Sequence, residues 1–111
     1  MPAKSRVNAP MREGDPYIQV TFQVYAEDDG YVSECVELDL ASQGDTIEEA
    51  LVNIKGCVEV HVESLHELGE LNRFLKEHNV RTRPYRKPKR TLPVKRDVYP
   101  ERLTTTDKIP V

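Results

Sequence analysis

Ser42-Gln43-Gly44-Asp45-Thr46-Ile47-Glu48-Glu49-Ala50-Leu51 is the stretch in which the chain changes period, from the alternation of strands to the spacing of a helix. Downstream of it Ile47, Ala50, Leu51, Ile54, Cys57, Val58, Val62 and Leu65 recur at helical intervals, giving one apolar stripe about five turns long. Thr46-Ile47-Glu48-Glu49 has the spacing of a capping box, in which a hydroxyl and a carboxylate three residues apart satisfy amides the first turn leaves orphaned. Asp45 and the paired glutamates suit the positive end of the helix dipole. Gly69 interrupts the pattern, and Leu71, Phe74 and Leu75 then predict a short second helix ending near Asn79.

Upstream, residues 17–25 alternate, with Ile18, Val20, Phe22 and Val24 on one face and Tyr17, Gln19, Thr21, Gln23 and Tyr25 on the other. A period of two in β-branched and aromatic residues marks a half-buried strand. Glu27-Asp28-Asp29-Gly30 supplies the Asp-Gly signal of a tight hairpin, because glycine tolerates the positive φ such turns demand. Residues 31–36 then predict a second strand, and residues 36–42 a short third one holding Leu38 and Leu40, with Asp39 in opposite phase. The expected fold class is α+β: a three-stranded antiparallel meander packed by one long helix, with a short second helix and a Pro-rich basic tail.

With 111 residues the chain is of a size that supports one domain. Its composition, 38% hydrophobic and 32% charged with eight prolines and no tryptophan, places part of it outside the core. The expected division is a flexible leader over 1–15, the α+β domain over 16–80 and the basic tail over 81–111. In the tail Pro84, Pro88, Pro93, Pro100 and Pro110 exclude a long helix, although Leu92-Pro93-Val94 and Ile109-Pro110-Val111 can add short extended pieces at a sheet edge. No internal repeat is visible. Residues 1–15 hold no apolar signal-type region and no window reaches the roughly 18 apolar residues of a membrane helix. A soluble, cytoplasmic protein is expected, in which Cys35 and Cys57 serve as small apolar residues and not as a bridge.

The net charge of −3 conceals segregation. Residues 16–80 hold fourteen acids against three bases, a net of −11, whereas residues 81–96 hold eight bases and no acid. Those bases, Arg81, Arg83, Arg86, Lys87, Lys89, Arg90, Lys95 and Arg96, with Tyr85 among them, are candidates for contact with nucleic acid or with a neighbouring subunit. The same segment can equally fold back on the acidic body, since opposite charges of this size attract.

Tyr25-Ala26-Glu27-Asp28-Asp29-Gly30-Tyr31-Val32-Ser33, followed by Ser42-Gln43-Gly44-Asp45-Thr46-Ile47-Glu48-Glu49-Ala50-Leu51 and Asn53-Ile54-Lys55, resembles the HicB-like antitoxin domain. That family runs from a strand through an acidic turn ending in Gly-Tyr and two further strands to a Gly-Asp-Thr entrance of an amphipathic helix. The resemblance covers about half of the chain. It implies a partial ribonuclease-H-like β-β-β-α arrangement that occludes a small, basic HicA-type ribonuclease toxin, a protein resembling double-stranded-RNA-binding domains. Two departures are visible. The Pro-Gly-Cys-like turn of many members is replaced by Glu37-Leu38-Asp39-Leu40-Ala41, and the prolines of 81–111 preclude the helix-turn-helix or ribbon-helix-helix module with which such antitoxins end.

Catalytic chemistry finds little support in the sequence, and neither an enzyme nor a cofactor is expected. Asp28, Asp29, Glu37, Asp39 and Asp45 are the carboxylates that a Mg²⁺-dependent site would need. They are better accounted for by a hairpin turn, a helix start and a solvated strand face. Cys57 and His61 have the i, i+4 spacing of two metal ligands on a helix, but no second pair completes a site. The expectation is therefore a non-catalytic binding protein, a homodimer through its exposed sheet edges. The alternative is a nucleic-acid-binding regulator acting through residues 81–96, with DNA contact through the tail.

Overall fold

The computed structural model describes residues 10–87, 97–99 and 102–111. Element order is β1 (Pro16–Glu27), β2 (Gly30–Cys35), β3 (Leu40–Gly44), α1 (Ile47–Glu67), α2 (Leu71–Glu77), β4 (Arg83–Pro84), β5 (Asp97–Tyr99) and β6 (Arg102–Pro110). The meander β1-β2-β3 is antiparallel throughout, from Phe22 opposite Cys35 to Tyr31 opposite Gly44. Ile18, Val20, Phe22 and Val24 are fully buried on the face that receives α1, which offers Ala50, Leu51, Ile54, Val58 and Val62 in return. The period-two strand and the helical stripe thus meet as the sequence predicts.

The sheet does not stop at three strands. Its order is β3-β2-β1-β6-β5, with β4 also paired to β1. β6 runs antiparallel to β1 over nine register positions, from Tyr17 opposite Pro110 to Tyr25 opposite Arg102. It sends Leu103, Thr105 and Ile109 into the buried layer, and Val111, just past its end, is buried as well. Residues 102–111, expected in a tail with at most short pieces at a sheet edge, therefore form an interior strand of the same sheet. Pro110 is compatible with this because it occupies the strand's last position, where the lost donor costs least. On the other side of β1, β2 takes Phe22 to Glu27 and β4 takes Pro16 and Tyr17. Residues 10–15, expected within a flexible leader, take part as well: Gly14 N–H donates to the Tyr85 carbonyl (2.8 Å) and Tyr85 N–H to that of Asp15 (2.7 Å).

The third strand lies further along than expected, at Leu40–Gly44 instead of 36–42. Val36 N–H bonds the Thr21 carbonyl, and the chain then leaves the sheet in a turn that drops Leu38 into the core and sets Asp39 at φ 55°. The Glu37 carboxylate takes the place of the departed strand. It accepts from Thr21 N–H (2.6 Å) and from the Thr21 hydroxyl (2.8 Å), so the edge amide that β2 abandons is satisfied by a side chain.

The hairpin reverses where expected, but its left-handed residue is Asp28 (φ 45°) and not Gly30. Aspartate's short polar side chain tolerates that backbone. Gly30 instead opens β2 opposite Glu27, and a Cβ there would lie 3.0 Å from the Gly44 carbonyl oxygen. At the entrance of α1, Thr46 is the N-cap, its hydroxyl accepting from Glu49 N–H at 3.0 Å. The helix closes with Gly69 at φ 69°, Glu70 N–H reaching the Leu65 carbonyl at 2.9 Å. Asn79 (φ 57°) closes α2 in the same way, through Val80 N–H to the Leu75 carbonyl. No helix among the described residues is long and apolar enough to cross a membrane.

Candidate functional site

The acidic hairpin and the stretch that leads into α1, ten residues further on, meet in space. The hairpin Glu27, Asp28, Asp29, Gly30, Tyr31 and Val32 forms one wall of an open groove of about 720 Å³; Ser42 to Asp45, with Glu49 and Asn53 of α1, forms the other. The walls meet because β2 and β3 pair from Tyr31 opposite Gly44. The floor is tight because Gly44 carries no side chain: a Cβ there would sit 2.5 Å from Ala50 N. Asn53 Nδ2 donates to the Gln43 carbonyl at 2.7 Å, tying helix to strand along the rim.

Among the described residues five carboxylates line this groove, those of Glu27, Asp28, Asp29, Asp45 and Glu49, and no Lys, Arg or His does. Such a surface accepts hydrogen bonds and attracts cations. Of the five carboxylates a metal site would need, Asp28, Asp29 and Asp45 lie here, whereas Glu37 is engaged by Thr21 and Asp39 stands in the turn before β3. Among the described residues no three His, Cys, Asp or Glu side chains gather closely enough to hold a metal ion. Cys57 is half-buried on α1, and the His61 ring packs edge-on against Phe74, centroids 4.9 Å apart.

At the same end of β1, on the sheet face away from α1, Tyr25 donates its hydroxyl to Glu34 Oε1 at 2.6 Å. That carboxylate, together with burial, holds the phenol protonated above the usual tyrosine range. On the helix side, burial pushes the Cys35 thiol up to about 11.

The basic segment begins at the opposite end of β1. Arg81, Arg83, Arg86 and Lys87 are exposed there, while Lys89, Arg90, Lys95 and Arg96 lie outside the described residues. Arg83 stands opposite Tyr17 in the β4–β1 pair. Arg86 reaches Glu13 at 3.6 Å and Lys87 N–H donates to the same carboxylate at 2.7 Å. Sequence reasoning missed two partners of this end, Tyr17 and Lys108. The Lys108 ammonium lies 5.5 Å from the ring centroids of both Tyr17 and Tyr85. Lys108 comes from β6, and without that strand nothing in the order of residues connects it to Tyr85. No family model, no curated protein and no solved structure matches the chain.

Proposed function

We propose that the protein is a non-catalytic antitoxin of the HicB-like type that binds and occludes a small, basic HicA-type ribonuclease, presenting the acidic groove to it. One observation carries this reading: the two stretches in which the resemblance resides converge on a single groove whose charged lining, among the described residues, is carboxylate alone. A groove of that charge draws a cationic partner by long-range attraction and selects its orientation, which raises the encounter rate and disfavours anionic competitors. The β1-β2-β3-α1 unit then serves as the partial ribonuclease-H-like platform, and homodimerisation through an exposed sheet edge completes the proposal.

The test is inhibition of RNA cleavage by a purified HicA-type ribonuclease, first the product of any adjacent short reading frame. Stoichiometric inhibition that weakens at high salt, and is lost when Asp28, Asp29 and Asp45 are changed together to asparagine, supports the reading. Failure to bind or inhibit such toxins, with the fold intact, removes it.

A further inference from the structure

The helices lie on one side of the sheet, and among the described residues no helix covers the other. Tyr17 and Gln19 alternate with the buried Ile18 and Val20 and so belong to that uncovered face. Register adds Arg83, opposite Tyr17, and Lys108, opposite Gln19, with Thr106 one pair further along. Tyr85 completes the group, its ring 6.4 Å from that of Tyr17 at 77° and its backbone tied to Gly14 and Asp15. We infer that this end of the sheet face, independently of the acidic groove, binds single-stranded nucleic acid, with Arg83 and Lys108 on phosphates and a base stacked at the Tyr17–Tyr85 pair.

Charge and shape both favour that ligand. Among the described residues no carboxylate pairs with the Arg83 guanidinium or the Lys108 ammonium, although the Lys108 amide donates to Asp107 Oδ1 at 2.9 Å; Arg86 and the Lys87 amide are engaged by Glu13. Asp107, the neighbour of Lys108, projects to the helix side and meets Lys55 at 3.8 Å. Glu34, on the same face, lies toward the far end and is engaged by Tyr25. An ammonium between two tyrosine rings marks a place where a cation and π-faces are presented together, which is what a phosphate-linked base requires. Gln19 and Thr106, both exposed beside it, offer donors and acceptors to a base edge. A duplex keeps its bases stacked and cannot use the rings. A lipid surface is disfavoured because the large exposed apolar side chains among the described residues, Val36, Val52, Val60 and Leu68, lie elsewhere.

The experiment is fluorescence anisotropy of the full chain with labelled oligo-U, oligo-dT and a mixed-sequence duplex of ~12 nucleotides, within the range of single-strand site sizes. Both single strands are expected to bind more tightly than the duplex. Tyr85→Ala should weaken binding roughly tenfold or more, with Tyr85→Phe close to the parent. Lys108→Ala and Arg83→Ala should each lower the slope of log affinity against log salt by about 0.7. Circular dichroism melts establish that each variant folds, and Lys108→Glu on the exposed lysine stands in should Tyr85→Ala not do so. Three results overturn the inference: equal or tighter binding of the duplex; affinity unaffected by Tyr85 and Lys108 but abolished by neutralising Lys89, Arg90, Lys95 and Arg96; or phosphatidylserine vesicles bound with the same variant sensitivity. Asp28→Asn in the groove should leave oligonucleotide affinity undiminished, so failure here and failure of toxin inhibition are separable.

Discussion

Replacing Gly44 by alanine tests the packing on which the groove rests. The added Cβ would meet Ala50 N at 2.5 Å and both Ala50 Cα and the Glu49 carbonyl carbon at 2.9 Å. These are backbone atoms of the first turn of α1, so no side chain can rotate away. Non-bonded carbons settle at about 3.5–4.0 Å, and the turn must therefore retreat by about 1 Å or the strand must bend. Overpacking costs about 1–3 kcal/mol, and a backbone obstacle puts this case at the upper end, about 3 kcal/mol. For a chain of this length that corresponds to a fall in Tm of roughly 12 °C. Gly56 supplies the control, since it lies inside α1 and nothing stands within 4 Å of its Cβ position. Gly56→Ala should stabilise by about 0.5–1 kcal/mol through helix propensity alone. Urea unfolding followed by circular dichroism at 222 nm reads both variants. If Gly44→Ala unfolds at the same midpoint as the parent, strand and helix do not approach as described and the groove's floor is wrongly drawn.

Glu37→Ala removes both acceptors of Thr21 and should lower stability by about 1–3 kcal/mol in urea, with Glu37→Gln recovering part of the loss; equal stability of the three proteins would show the carboxylate to be idle. A chain ending before Arg102 loses β6 and with it buried Leu103, Ile109 and Val111. At about 1.5–3 kcal/mol per side chain that loss rivals the whole stability of a domain, so the truncated chain should lack a cooperative melt, and a sharp one would place β6 outside the folding unit. The Cys35 thiol, raised by burial from 9.0 to about 11, ionises first in the unfolded chain. Its contribution is complete below about pH 9 and is lost as pH rises from 9 toward 11. Cys35→Ala, weaker at pH 7, should show a flatter urea midpoint over that window, and parallel profiles would refute the assignment.

The elements legible in the sequence are those whose local chemistry and tertiary role agree. In β1 the alternation coincides with full burial of Ile18, Val20, Phe22 and Val24, and at Thr46 the predicted N-cap is the observed one. β6 was hidden for a physical reason. Its inward row is Leu103, Thr105, Asp107 and Ile109, half of it polar, because Asp107 meets Lys55 of α1 and Thr105 is buried beside Phe22. The apolar half of the alternation is supplied by the partner strand, which no window on β6 alone can see. Thr104-Thr105-Thr106, a β-branched run, is the signal in the sequence that points to this strand. The third strand shifted because Val36, Leu38 and Leu40 read as one extended run, whereas the first ends β2's ladder, the second fills the core from a turn and the third opens β3. In the candidate site, the two walls of the groove were each legible but not their meeting, and the Tyr17–Tyr85–Lys108 group depends on a strand the sequence did not reveal.

The charge segregation along the sequence becomes a segregation along one strand. β1 carries the acidic hairpin at Glu27 and Asp28 and, ten residues earlier, the Tyr17 that meets Arg83 and Lys108. At about 3.3 Å per residue those ends stand roughly 33 Å apart, several times the ~8 Å Debye length at physiological ionic strength. At that distance the hairpin carboxylates and the bases Arg83 and Lys108 do not neutralise one another. Among the described residues of the segment, Arg86 pairs with Glu13, at the same end of β1 and with an acid from outside residues 16–80. On the two proposals made above, the groove would repel the phosphates that the tyrosine–lysine end attracts, and that end would repel the basic protein that the groove attracts. If both proposals hold, the strand between them keeps the two surfaces apart, and a cationic protein at one end would leave the other open to a polyanion.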